Sequence, residues 1–234
     1  MRKWCSCAIS PGCGQSAKKP RAAIVLSGCG VYDGTEIHEA VIALLCLLKG
    51  GAEVSFFAPD MGQSDCVNHL DGSDSGAPRS VLAESARIAR GKIEPLSRFN
   101  PEHFDMLVFP GGFGAAKNLS TFAYDGAGCS VEPSVERAIS GMRSLGRKIA
   151  FLCISPVIAA KAIGGGVKLT IGTDPKTAAA IEAAGAKHVE CPASSFVEDE
   201  SKNVYSTPAY MLAGDAAEVE KGVSAMISRM FETL

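Results

Sequence analysis

Cys153 closes the apolar run Ile149-Ala150-Phe151-Leu152 and is followed by Ile154, Ser155, Pro156 and the packing residues Val157 to Ala160. An unbroken apolar run is the pattern of a strand covered on both faces of a parallel sheet. A proline just beyond it sits where a first helical turn tolerates a missing N–H. Cys153 is therefore expected on a strand-to-helix turn, pointing out at the carboxyl end of the sheet, where a helix N-terminus favours thiolate. The chemistry would be that of a nucleophile elbow built with sulfur; the same position also suits a buried core cysteine, the commoner fate of a free thiol. A nucleophile needs a proton-transfer partner and donors for a developing oxyanion. Glu36 can offer a carboxyl group and His38 an imidazole, both near the start of one helix, while Gly112 and Gly114 can offer unobstructed backbone N–H groups. Glu36 has a simpler reading as an acid favoured by the helix macrodipole. Cys29 can either line a pocket or fill a small buried space.

The elements that must position these residues alternate between strand and helix. Ala22 to Leu26 reads as a buried strand, followed by the glycine-rich Gly28 to Gly34 and a helix with Thr35 as N-cap and apolar residues at Ile37, Val41, Leu44, Leu45 and Leu48. Glu53 to Ala58 is the second strand. Met61 to Ser80, rich in Gly, Ser and Asp, reads as a small hairpin or irregular insertion, and Ser80 to Arg90 as a modest helix. Asp105 to Phe109 is the next strand, breaking off at Pro110-Gly111-Gly112-Phe113-Gly114 into a long polar connection, Ala115 to Cys129. Val131 to Leu145 is an amphipathic helix leading to the cysteine strand. Beyond the elbow follow a strand at Val167 to Ile171, a helix begun by Asp174, a pairing of Phe196-Val197 with Val204 to Ser206, and a last helix over Asp215 to Phe231. This order gives a doubly wound α/β fold whose ligands bind beyond the carboxyl ends of the strands. Three loops converge on that edge: Gly28 to Gly34, Pro110 to Gly114, and the turn at Cys153.

Composition narrows the classes. The chain has 234 residues, 47% of them hydrophobic, and a net charge of −2, which suits one compact domain and gives no footprint for nucleic acid. The longest apolar helix candidate, Val41 to Leu48, is too short to span a membrane and is expected in the core. Nine cysteines without a secretory signal fit a reducing compartment, and the odd count leaves at least one thiol free. Residues 1–21 are basic and free of acids, as in a disordered tail or a transit leader, so the domain proper is placed at 22–234. Cys5, Cys7 and Cys13 lack a fourth ligand at zinc spacing, so no metal and no cofactor are expected. Gly28, Gly30 and Gly34 nearly match a dinucleotide fingerprint, with Asp60 closing the second strand, but Asp33 puts a negative charge where pyrophosphate would sit. His69, His103 and His188 read as surface or structural residues.

Several stretches resemble a known family: LSGCGVYDGTEIHEA (Leu26 to Ala40), FPGGFGAAKNLSTFA (Phe109 to Ala123), FLCISP (Phe151 to Pro156), LTIGTD (Leu169 to Asp174) and STPAYML (Ser206 to Leu212). They are similar to the ElbB group of the PfpI/ThiJ superfamily, related to class I glutamine amidotransferase domains. The resemblance covers nearly everything after Arg21. It implies a flavodoxin-like, mostly parallel sheet sandwiched by helices, a cysteine elbow at Cys153, a pocket glutamate at Glu36 and an oxyanion-hole backbone at Gly112. It further implies a homodimer, glyoxalase III-type activity on small glyoxals, and, for eukaryotic relatives, a mitochondrial location as against a cytoplasmic one. The protease-like and amidotransferase members carry a histidine after the nucleophile or a distant His-Glu pair; here Ile154 follows Cys153 and no His-x-Glu segment is read near the C-terminus.

The expected mechanism therefore uses cysteine and a carboxyl group without histidine. Cys153 thiolate would add to a 2-oxoaldehyde such as methylglyoxal, and protonated Glu36 would move protons between the two carbons. Gly112 and Ile154 would donate to the oxyanion, in a pocket lined by Cys29, Gly30, His38, Gly114 and Asn118. The alternatives are a redox or metabolite sensor built on the same cysteine and a dinucleotide-binding protein.

Overall fold

The structure, a computed structural model, describes residues 18–234; Cys5, Cys7, Cys13 and nearly all of the basic leader lie outside the described residues. The strands are β1 (Arg21–Val25), β2 (Glu53–Ala58), β3 (Glu94–Pro95), β4 (Met106–Phe109), β5 (Lys148–Leu152), β6 (Val167–Leu169), β7 (Ala186–His188), β8 (Val197–Asp199) and β9 (Val204–Thr207). The helices are α1 (Ile37–Lys49), α2 (Val81–Ile88), α3 (Phe113–Lys117), α4 (Phe122–Asp125), α5 (Pro133–Ser144), α6 (Pro156–Ile163), α7 (Pro175–Ala183) and α8 (Ala216–Glu232). Seven strands form one sheet in the order β3-β2-β1-β4-β5-β9-β8, parallel except for the β8–β9 pair. This is the α/β sandwich expected from the alternating pattern.

The apolar strands divide their side chains between two cores, as a period of two requires. Ala23, Val25, Leu107, Phe109, Ile149 and Phe151 point to one side, against α5 and α6 residues such as Ile139, Met142 and Val157. Ala22, Ile24, Leu26, Met106, Val108, Ala150 and Leu152 point to the other, against Ala40, Ala43 and Leu47 of α1 and Val219, Val223, Met226 and Met230 of α8. From β1 the chain proceeds outward to β2 and β3, then returns to place β4 on the other side of β1. That reversal opens a crevice at the carboxyl ends of β1 and β4, flanked by both glycine-rich loops, with the β5 turn beside it.

Four local expectations change. Glu36, not Thr35, caps α1, because the buried Thr35 Oγ1 instead accepts the Ser27 N–H at 2.7 Å. The outer face of α1 is not core: Ile37, Val41, Leu45 and Leu48 are 41–51% exposed, and the small Ala40 and Ala43 form the packed face. The stretch after Pro110 contains α3 and α4 and buries Asn118, Leu119, Ser120 and Cys129, so it is not a polar loop. β6 is shorter than Val167 to Ile171 and pairs with β7 in a separate two-stranded sheet.

Candidate active site

Cys153 sits on the turn from β5 to α6 with φ +59°, a left-handed conformation that costs a non-glycine residue about 1–3 kcal/mol. Surrounding hydrogen bonds hold it there. The Cys153 N–H donates to the Thr207 carbonyl of β9 at 3.0 Å. Ser155 Oγ accepts the Leu152 N–H at 2.9 Å and lies 2.8 Å from the Phe109 carbonyl oxygen, to which it can donate, tying the turn to the end of β4. Cys153 as a whole is only 8% exposed. The backbone N–H groups of Gly112 and Ile154 are near enough to the sulfur to favour its anion. Gly112 occupies φ +90° and packs directly on the backbone of Gly34 to Glu36, so one glycine loop braces the other.

The carboxyl group beside the sulfur belongs to Glu39, one helical turn beyond Glu36. Glu39 is fully buried, and its carboxyl group lies beside the Cys153 thiol, the two converging on Gly111 and influencing each other's ionisation. Its Oε2 accepts the Gly111 N–H at 2.8 Å, and its Oε1 accepts the Tyr210 N–H at 3.2 Å. A Cβ added at Gly111 would lie 2.8 Å from Glu39 Oε2 and 3.0 Å from Cys153 Sγ, which shows how closely the two groups converge on this glycine. Glu36, by contrast, uses Oε2 to accept the Glu39 N–H at 2.7 Å and cap the helix. Of the two readings of Glu36, the helix-start acid is the one its geometry expresses. The signal for Glu39 was its spacing: it precedes Ala43 and Leu47 by four and eight residues, on the buried stripe of α1.

The electrostatics differ from a ready thiolate. Burial first, and the Glu36 carboxylate second, raise Glu39 to about 7. Burial and the Glu39 carboxylate likewise hold the Cys153 thiol well above its usual value, against the opposing influence of the Gly112 and Ile154 N–H groups. The helix start after Cys153 does not overcome the cost of placing an anion in so dry a site. The resting pair above neutral pH is thus a thiol beside a carboxylate, the reverse of the expected thiolate beside a carboxylic acid.

The other expected pocket residues divide. His38 is on the rim, its side chain 63% exposed, 4.0 Å from Glu36 Oε1 and 2.8 Å from the Tyr210 hydroxyl. Gly114 donates its N–H to the Gly34 carbonyl at 2.9 Å and is hemmed in by Ser27 and Gly34, so it is a packing glycine and no oxyanion donor. Asn118 is buried, donating to the Ser27 and Asp33 carbonyls and accepting the Ser64 N–H, which leaves its amide committed to holding loops together. Gly30 leaves room for the His69 ring, which stacks on Tyr32 at 4.8 Å and accepts its N–H. Cys29 lies within range of Glu84 and Arg87 of α2, and burial pushes its thiol up.

The glycine loop after β1 is not a phosphate cradle. The N–H groups of Gly28, Gly30, Tyr32 and Gly34 are taken by Ser85, Thr35, His69 and Gly30. Asp33 is buried, paired with Arg79 at 3.1 Å, and accepts the Val67 N–H, which fastens the Met61 to Ser80 insertion over the loop. A cleft of about 490 Å³ between that insertion and Phe113 is lined by Tyr32, His69, Leu70 and Lys117, with neither Cys153 nor Glu39 in its wall. Among the described residues no group of three or more His, Cys, Asp or Glu side chains could hold a metal, and none of the described cysteines is paired.

No protein-family model matches the chain. It is 46% identical over 229 aligned residues to the mitochondrial ES1 protein homolog of Rattus norvegicus, covering 93% of this chain and 86% of the relative. The chain belongs to the ES1 family. The human member it matches, mitochondrial glutamine amidotransferase-like class 1 domain-containing protein 3, is 46% identical over 222 residues, covering 91% of this chain and 82% of that one. Among solved structures, an isoprenoid biosynthesis protein with an amidotransferase-like domain from Ehrlichia chaffeensis superposes with a TM-score of 0.85 at 36% identity, over 92% of this chain and all of that one. A glyoxalase III from Candida albicans shares the fold at 12% identity, with a TM-score of 0.59, over 92% of this chain and 98% of that one. The human relative and the Ehrlichia structure are both named for an amidotransferase-like domain, while the likeness to the glyoxalase III is one of fold alone.

Proposed function

We propose that this ES1-family chain is a glutathione-independent glyoxalase-type enzyme, converting small 2-oxoaldehydes to 2-hydroxy acids. The observation that carries the reading is the Cys153 thiol held against the Glu39 carboxyl, with the Gly112 and Ile154 N–H groups near the sulfur. Glu39 takes the thiol proton as sulfur adds to the aldehyde carbon, and returns it to the oxygen to give a hemithioacetal. The two backbone N–H groups stabilise the oxyanion formed in that step. Glu39 then removes the proton from the former aldehyde carbon and delivers it to the neighbouring carbon through an enediol, leaving a thioester. Water cleaves the thioester, restoring the thiol and releasing the acid. The sum is 2-oxoaldehyde plus water to 2-hydroxy acid, with no external oxidant or reductant.

Among the described residues no histidine is hydrogen-bonded to Cys153 or Glu39, and His188 of the His188-Val189-Glu190 stretch lies on β7 in the separate two-stranded sheet, which argues against amide hydrolysis, in which a leaving amine must be protonated. A redox-sensing cysteine is less well supported, because a buried thiol with a raised pKa reacts slowly with oxidants. The test is lactate formation from methylglyoxal without glutathione: turnover by the wild-type chain that is lost in Cys153→Ser supports the reading, and undiminished turnover in that variant removes it. The mitochondrial naming of the rat and human relatives and the acid-free leader support a mitochondrial location. N-terminal sequencing of the native protein should then find the chain beginning beyond the leader.

A further inference from the structure

His38 and Tyr210 take no part in the proton transfers above, yet they link α1, which carries Glu39, to one of the two elements that grip its carboxylate. His38 is on α1, and Tyr210 is on the short 3₁₀ turn Ala209–Met211 that follows β9. The imidazole Nδ1 and the phenol hydroxyl share a 2.8 Å hydrogen bond, with the rings tilted at 48° and 5.9 Å apart. The same Tyr210 donates its backbone N–H to Glu39 Oε1 at 3.2 Å. The turn begins at Ala209 with φ +45°, a conformation that an L residue does not choose unaided. Its internal bonds, Met211 N–H to the Pro208 carbonyl and Ala213 N–H to the Ala209 carbonyl, shape the turn but do not place it against α1. The hydrogen bonds that do so are the two made by Tyr210, one to Glu39 and one to His38.

We propose that His38 and Tyr210 are a pair of positioning residues, whose side-chain bond ties the turn to α1 and so keeps the Tyr210 N–H on the Glu39 carboxylate. The ionisable groups around Glu39 are Glu36 on the cap of α1, Cys153 on the elbow and Tyr210 on the turn; His38 stands 4.0 Å from Glu36, and Asp215 acts on Tyr210. Removing the tie loosens one donor from the carboxylate. A carboxylate that loses an N–H donor holds its proton to higher pH.

This inference rests on the Cys153–Glu39 pairing and not on the identity of the substrate. Its test is the rate of Cys153 alkylation by iodoacetamide, read by mass spectrometry on the full chain from about pH 5 to 9. The wild type should show a limb rising through about pH 7 as Glu39 becomes able to take the thiol proton. Tyr210→Phe and His38→Leu should each move that midpoint up by about half a unit to one unit, and the double variant no further. His38→Asn, which keeps a polar atom at the δ position, should return most of the shift. Wild-type midpoints in both single variants, shifts that add in the double, or a limb that survives in Glu39→Gln would overturn the inference. Because alkylation needs no turnover, lack of glyoxalase activity leaves it standing, and its own failure leaves the aldehyde chemistry standing.

Discussion

Glu39 is gripped by two backbone N–H groups and still keeps its proton to about pH 7, because the surroundings are dry and Glu36 stands one turn away. As the base that takes the thiol proton, it should make turnover rise with pH through about 7, whereas a thiolate pre-formed beside a neutral acid would give no such limb there. A pH–rate profile of methylglyoxal conversion checks this. The same shift has a stability consequence. Glu39 titrates higher in the folded chain than in the unfolded one, so its contribution is full below about pH 4.5 and is lost as pH rises through about 7. That loss is at most about 3.5 kcal/mol. Urea unfolding at the two ends of this window should show Glu39→Gln gaining on the wild type as pH rises. Cys153 was legible as an elbow because a strand run, a cysteine and a proline fall in order. Glu39 was harder to single out, because two acids three residues apart open the helix and only the spacing of Glu39 to the small Ala43, on a face that the larger apolar residues of α1 do not mark, tells which one turns inward.

The elements carry the positions of these residues at some cost to themselves. Gly112 brings its N–H near the sulfur only by lying against the backbone of Gly34 to Glu36 at φ +90°, so Gly112→Ala should destabilise the fold by at least about 1–3 kcal/mol and misplace the oxyanion donor. Thermal unfolding and residual turnover, measured together, would show both losses. On α1, Leu47 is fully buried while Leu45 is half exposed. Leu47→Ala should cost about 2–5 kcal/mol in urea unfolding, and Leu45→Ala well under half of that. The helix itself could be read from its apolar spacing, but not its orientation. Its larger apolar residues outnumber the small ones, and only the need for close approach selects Ala40 and Ala43 as the packed face.

At the scale of the molecule, the parallel sheet brings separate stretches of chain to one edge. Continuous apolar runs at β1, β4 and β5 made that sheet legible, and the glycine breaks after β1 and β4 marked the functional edge. The short pieces were harder to see: β6 and β7 pair with each other away from the main sheet, and β3 is two residues long. The insertion held by Arg79 on the buried Asp33 depends on a contact between residues 46 positions apart, which local pattern does not encode. The central claim is that this edge assembles Cys153 with Glu39 as one reacting pair. The most direct measurement is lactate formation from methylglyoxal, without glutathione, by Glu39→Gln and Glu36→Gln compared at neutral pH. The expected result is a loss of about 10²–10⁴-fold in Glu39→Gln and a loss within about 10-fold in Glu36→Gln; an active Glu39→Gln beside an inactive Glu36→Gln would overturn the pairing.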